Sequence, residues 1–123
     1  MIEEKKENDN TLLTNVAEHL KNIYSLEPDQ VEQMIHLSSR SISETFEQAR
    51  QAVADNDLPA LSAAGHKAKG VLLGVGLKDE AEQARVIEAA SKEGRDEDYH
   101  AMMLELEGNL QPLLDLTSGE TRS

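Results

Sequence analysis

Apolar residues along this chain recur at intervals of three and four and nowhere in sustained alternation, which predicts helices without strands. Leu12, Leu13, Val16, Leu20 and Ile23 mark a first helix from about Thr11 to Tyr24, broken by Ser25-Leu26-Glu27-Pro28. A long second helix starts at about Pro28, a residue suited to a first helical turn. It runs to Ala54 with Val31, Met34, Ile35, Ile42, Phe46, Ala49 and Val53 inward. Asp55-Asn56-Asp57 is a tight connection. Asp57 can cap the free amides of a third helix, whose Pro59 has no amide to lose. That helix should end near Leu73 or Gly74, because Gly74 and Gly76 within three residues call for a sharp turn. A fourth helix follows from about Lys78 to Lys92, with Leu77, Ala81, Ala84 and Ile87 inward, small enough to let a neighbour approach closely. Gly94 reads as its stop and Asp96 as the start of a fifth. There Tyr99, Met102, Met103, Leu106, Leu110 and Leu113 share a face, and Pro112 should kink or end it.

Amphipathic helices joined by short loops predict an all-α fold, an up-and-down four-helix bundle with an additional short N-terminal helix. The bundle domain is expected over residues 10–116, between a disordered arm at 1–9 and a disordered tail at 117–123, both strongly polar.

Composition narrows the function. At 123 residues the chain has room for one core and no second catalytic domain. Aromatic residues are only 2% of the total, so the core must be built from Leu, Ile, Val, Ala and Met, which favours packed helices over a sheet. The net charge of -12 sets up a field that repels phosphate backbones and anionic lipid, so neither nucleic acid nor a membrane is an expected partner. The absence of cysteine removes thiol nucleophiles, disulfides and cysteine-ligated zinc. The opening MIEEKKENDN has no apolar signal-peptide core, and the default location is cytoplasmic.

The chemistry concentrates in His66-Lys67-Ala68-Lys69-Gly70. At about 100° per residue, Leu61, Ala64, Ala68, Val71 and Leu72 form one apolar stripe, and His66 points roughly 170° from its centre. Lys69, Gly70 and Leu73 lie within about 60° of His66 on the same projection, because positions three, four and seven apart share a face. Lys67 is about 100° off and is the weaker candidate. Histidine, with a reference pKa of about 6.5, keeps a neutral fraction near pH 7 whose ring nitrogen can attack phosphorus. Lys69 supplies an ammonium for the resulting charge. Gly70 leaves room on the helix surface, at a cost of about 1 kcal/mol in helix propensity relative to alanine, although helix packing would also account for it. Glu88 falls on the side of the fourth helix that carries Ala81 and Ala84, where it can reach the His66 ring and fix its tautomer. A carboxylate turned to solvent is the plain alternative. His19, His36 and His100 have no comparable setting. The four histidines lack the spacing of a zinc-protease helix, Gly70 to Gly76 lacks the lysine and hydroxyl of a phosphate loop, and no metal site is expected.

With those residues in view, the stretch from about Glu32 to Glu93 resembles a histidine-containing phosphotransfer (Hpt) domain, the relay module of multistep phosphorelays. In that family the phosphorylated histidine is followed by lysine at the third position and by glycine at the fourth and tenth, which here are His66, Lys69, Gly70 and the turn glycine Gly76. Ala49 to Gly65 resembles the family's long helix, acidic turn and alanine-rich run into the histidine, and Glu88 stands where many members carry glutamate. Ala68, Val71, Leu72 and Glu80 depart from the usual pattern at positions that concern packing more than chemistry.

The resemblance implies a phosphorylated intermediate without autonomous kinase activity. His66 would accept from an aspartyl phosphate on one response-regulator receiver domain and donate to another, within a two-component system that also contains a sensor histidine kinase. It implies no cofactor in this chain, because the receiver brings the magnesium. Ser62, Leu73 and Gly74 would contribute to receiver docking, and the chain should be a monomer. Two rival readings stand beside this one. The first is a non-phosphorylated helical adaptor or inhibitor that binds a receiver or kinase. The second is an enzyme using His66 as general base, for which no nucleophile or substrate pocket can be named.

Overall fold

The computed structural model describes residues 2–122, and side chains over residues 11–116. Six helices follow one another: α1 (Ile2–Tyr24), α2 (Pro28–Ala54), α3 (Leu58–Gly74), α4 (Lys78–Lys92), α5 (Tyr99–Asn109) and α6 (Gln111–Arg122). There is no strand among the described residues. The limits of α2, α3 and α4 agree with the sequence signals, for local reasons. The Glu27 amide donates to Gln30 Oε1 at 2.9 Å ahead of α2, and Asp57 Oδ1 accepts from the Ala60 amide at 3.1 Å to start α3. Gly76 at φ +81° and Gly94 at φ +71° sit just past α3 and α4, in the left-handed region that glycine enters without penalty.

Two differences from expectation have physical causes. Asp98 rather than Asp96 starts α5, its Oδ1 accepting from the Ala101 amide at 3.0 Å, so the loop after Gly94 is longer than expected. The fifth helix is two helices: the chain breaks at Leu110, and Pro112 sits in the first turn of α6, where a missing amide is harmless. The fourth member of the bundle is therefore the α5–α6 pair. Helix α1 begins at Ile2 and α6 ends at Arg122. The side chains of residues 1–10 and 117–123 lie outside the described residues, and so do Met1 and Ser123 altogether.

Short loops turn α2, α3 and α4 back on one another, with α3 packed against both neighbours. α5 lies against α4 and α2, α6 against α2, and α1 covers α2 and α6. Leu20, Ile42, Phe46, Leu61, Leu72, Leu106, Leu110 and Leu113 are wholly or almost wholly buried and converge from all six helices but α4, which contributes Ala81, Ala84, Ile87 and Ala90. Each buried leucine contributes on the order of 2 kcal/mol of burial free energy. Not every apolar position faces in. Ile23, expected in the core, is 63% exposed, and Met34 is at the surface. Three hydroxyls occupy α2 positions that periodicity would reserve for apolar groups. Ser39 is wholly buried and donates to the Leu113 carbonyl at 2.6 Å, Thr45 donates to the Ser41 carbonyl at 2.8 Å, and Ser38 is also buried.

The seam between α3 and α4 positions the site. Ala64, Gly65, Ala68, Ala81 and Ala84 are all buried. Small side chains let two helix backbones come together closely, because interaxial distance is set by what stands between them.

Candidate functional site

His66 stands on the outer side of α3 with its side chain 70% exposed, as the helix projection predicts. Its Nδ1 lies 2.9 Å from Glu88 Oε2, across the seam on α4. Glu88 is largely enclosed, with 19% of its side chain exposed, and its other oxygen, Oε1, lies 3.1 Å from Lys69 Nζ. One carboxylate thus joins the histidine and the lysine one turn further along.

The charge state of Glu88 follows from these neighbours. Burial alone would raise its carboxyl, but the Lys69 ammonium and the His66 ring that face it outweigh that, and it sits below its ordinary value. An ionised carboxylate only accepts, so Nδ1 must donate. A neutral His66 ring held this way carries its lone pair on Nε2, which makes no hydrogen bond among the described residues.

The remaining candidates divide. Gly70 is exposed, and a Cβ there would meet nothing within 4 Å, so packing inside this chain does not account for the glycine. Lys67 is exposed and makes no ion pair or hydrogen bond among the described residues. Leu73 is 50% exposed on the same side as His66. Ser62 and Gly74 are committed elsewhere: Ser62 Oγ donates to the Glu88 carbonyl at 3.2 Å, and the Gly74 carbonyl accepts from the Tyr24 hydroxyl at 3.1 Å. Gly76 makes the turn, and a Cβ on it would stand 2.5 Å from Cγ of His19. The His19 ring packs against that turn, with Tyr24 edge-on to it at 6.2 Å.

Sequence reasoning passed over Gly65. A Cβ on this residue would lie 3.2 Å from the Cα, Cβ and backbone nitrogen of Glu88, the tightest helix-to-helix approach that any of the helical glycines makes among the described residues. The available signal was a glycine in mid-helix, which must recover about 1 kcal/mol of lost propensity elsewhere. Ser91 Oγ donates to the Ile87 carbonyl at 2.6 Å and lies 3.2 Å from the Glu88 carbonyl. Among the described residues no group of three or more His, Asp or Glu is placed to hold a metal ion.

A family model for the Hpt domain matches residues 33–115. The chain belongs to the Hpt domain family, whose helical bundles carry phosphoryl groups on histidine in phosphorelays and meet receiver domains and kinases. Hpt domains are phosphotransfer carriers rather than enzymes. No curated protein and no solved structure matches the chain. No helix among the described residues is long and apolar enough to cross a membrane.

Proposed function

We propose that this chain relays a phosphoryl group between aspartates of response-regulator receiver domains, with His66 as the phosphoacceptor. The observation that carries the reading is the 2.9 Å bond between His66 Nδ1 and Glu88 Oε2 on a side chain otherwise open to solvent. In the forward step the Nε2 lone pair attacks the phosphorus of an aspartyl phosphate. The N–P bond forms as the P–O bond to the aspartate breaks, and the carboxylate departs with the bonding pair. The ring keeps its Nδ1 proton and becomes an imidazolium, whose charge faces the Glu88 carboxylate. Donation to a second receiver reverses these changes and returns a neutral imidazole. Lys69 is within reach of both Glu88 and the outer face, and its ammonium offsets the phosphoryl oxygens.

Magnesium, expected on the receiver partner, supplies charge neutralisation at the acyl phosphate. Gly70 leaves the partner's loop room beside His66, and Leu73 offers apolar contact at the edge of the docking patch. Ser62 and Gly74 belong to the rim only through their backbone and flank, since their polar groups are already paired. The cytoplasmic location and monomeric state expected from the sequence complete the reading.

The test is to mix the chain and its His66→Gln variant with several phosphorylated receiver domains and magnesium, then measure intact mass at neutral to alkaline pH. Gain of one acid-labile phosphoryl group by the wild type alone is expected. Acceptance by the variant would overturn the site. Receiver binding that is indifferent to His66, without phosphoryl gain, would establish the adaptor instead.

A further inference from the structure

We infer that Gly65 is a positioning residue for His66, acting through Glu88; the inference rests on the reading of His66 as phosphoacceptor. Gly65 touches neither the ring nor any group that would be transferred. What it does is let the α4 backbone at Glu88 lie against α3 one residue before the histidine. Its neighbours in the seam, Ala64 and Ala68, are buried with their methyl groups in place, so α3 accommodates a methyl on either side of this point but not at it.

The distances set the tolerance. A methyl at position 65 would sit 3.2 Å from three atoms of Glu88, two of them backbone, and ordinary contact requires a few tenths of an ångström more. The His66–Glu88 bond at 2.9 Å has about that much slack before it passes the usual limit of about 3.2 Å. The Ser62 hydroxyl bond to the Glu88 carbonyl, already at 3.2 Å, has none. Filling position 65 therefore consumes the margin on which the carboxylate's grip on Nδ1 depends. A valine, with two further carbons at a backbone contact, exceeds it. Once the grip is lost, either ring nitrogen can carry the proton, and Nε2 is no longer the fixed nucleophile.

The experiment compares wild type, Gly65→Ala, Gly65→Val, Gly108→Ala and Glu88→Gln by long-range proton–nitrogen correlation of the His66 ring near neutral pH. Thermal unfolding of each is measured alongside. Each protein is then incubated with phosphoramidate, a small phosphoryl donor that needs no partner, and the phosphorylated nitrogen is identified by phosphorus NMR. Expected is a single Nδ1–H tautomer and Nε2 phosphorylation in the wild type and in Gly108→Ala, which adds a methyl to a helical glycine with open space around it, away from the seam. Gly65→Val should show the mixed ring pattern of Glu88→Gln and a loss of Nε2 phosphorylation rate of about tenfold to a hundredfold. Gly65→Ala should fall between, and it decides the matter if the valine variant does not fold. Folded Gly65 variants that keep the wild-type ring pattern and rate would overturn the inference. If the ring patterns change as expected while the wild type takes phosphate from neither phosphoramidate nor any receiver, the positioning role stands and the phosphoacceptor reading falls.

Discussion

Ser62 Oγ donates to the main-chain carbonyl of Glu88 at 3.2 Å, so the residue whose carboxylate holds His66 is tied by its own backbone to the helix that bears that histidine. The carboxylate is thereby referenced to α3, and the placement of the ring does not depend on α4 alone. Ser91 reaches the same carbonyl from within α4, at 3.2 Å.

Removing the Ser62 hydroxyl tests that tie. Ser62→Ala is expected to lower stability by about 0.5–1.5 kcal/mol, the net worth of one such bond, read as a lower urea midpoint at unchanged slope. Phosphoryl acceptance should survive, since the Glu88 carboxylate keeps its contacts with His66 and Lys69.

Acid should weaken the molecule through Glu88. Its carboxyl is held below its ordinary value, so its contribution is present above the unfolded-state pKa of about 4.3 and is lost as pH falls through the lower folded value. Glu88→Gln is expected to flatten the fall of stability between about pH 5 and pH 3, compared by thermal melting across that range. An equally steep fall in the variant would show that other carboxylates govern it.

Gly76 should be intolerant of any side chain. Its φ of +81° disfavours L-residues, and a Cβ would run into the His19 ring at 2.5 Å. Gly76→Ala is expected to cost more than about 1 kcal/mol for the backbone alone. The ring clash adds to this, and the His19→Ala background should recover that part in a double-mutant cycle of unfolding free energies.

Gly70 makes the opposite case. Open space surrounds it, so Gly70→Leu should leave the fold intact and even raise helix stability by up to about 0.8 kcal/mol. Transfer from a phosphorylated receiver should be blocked while phosphoramidate still labels His66. Parallel time courses with the two donors check this, and equal loss with both would contradict a role confined to docking.

Much of this arrangement is legible in one dimension because it depends on local chemistry. The limits of α2, α3 and α4 rest on Pro28, Asp57, Gly76 and Gly94, whose effects act over a few residues. The outward direction of His66 follows from helical periodicity, and so does its company with Lys69, Gly70 and Leu73. What escapes is whatever depends on a second helix. The role of Gly65 emerges only when Glu88 is set against it, and that of Ser39 only when the Leu113 carbonyl supplies its partner. The bond of the Ser62 hydroxyl to the Glu88 carbonyl is hidden in the same way, because its partner lies on α4. Ile23 continues the apolar stripe of α1 by its spacing, yet no neighbouring helix buries it.

Tyr24 gives the molecule a built-in optical reporter. The sequence contains no tryptophan and two tyrosines. Tyr99 is buried, with its hydroxyl on the Arg95 carbonyl, whereas Tyr24 is half exposed and bonded to the Gly74 carbonyl at the end of the helix that carries His66. Its ultraviolet emission therefore comes from two phenols in contrasting surroundings, one of them beside the proposed docking edge. A receiver settling over Leu73 would change the solvent around Tyr24 and leave Tyr99 as an internal reference, so that complex formation could be followed without attaching a dye to a protein that has no cysteine to carry one.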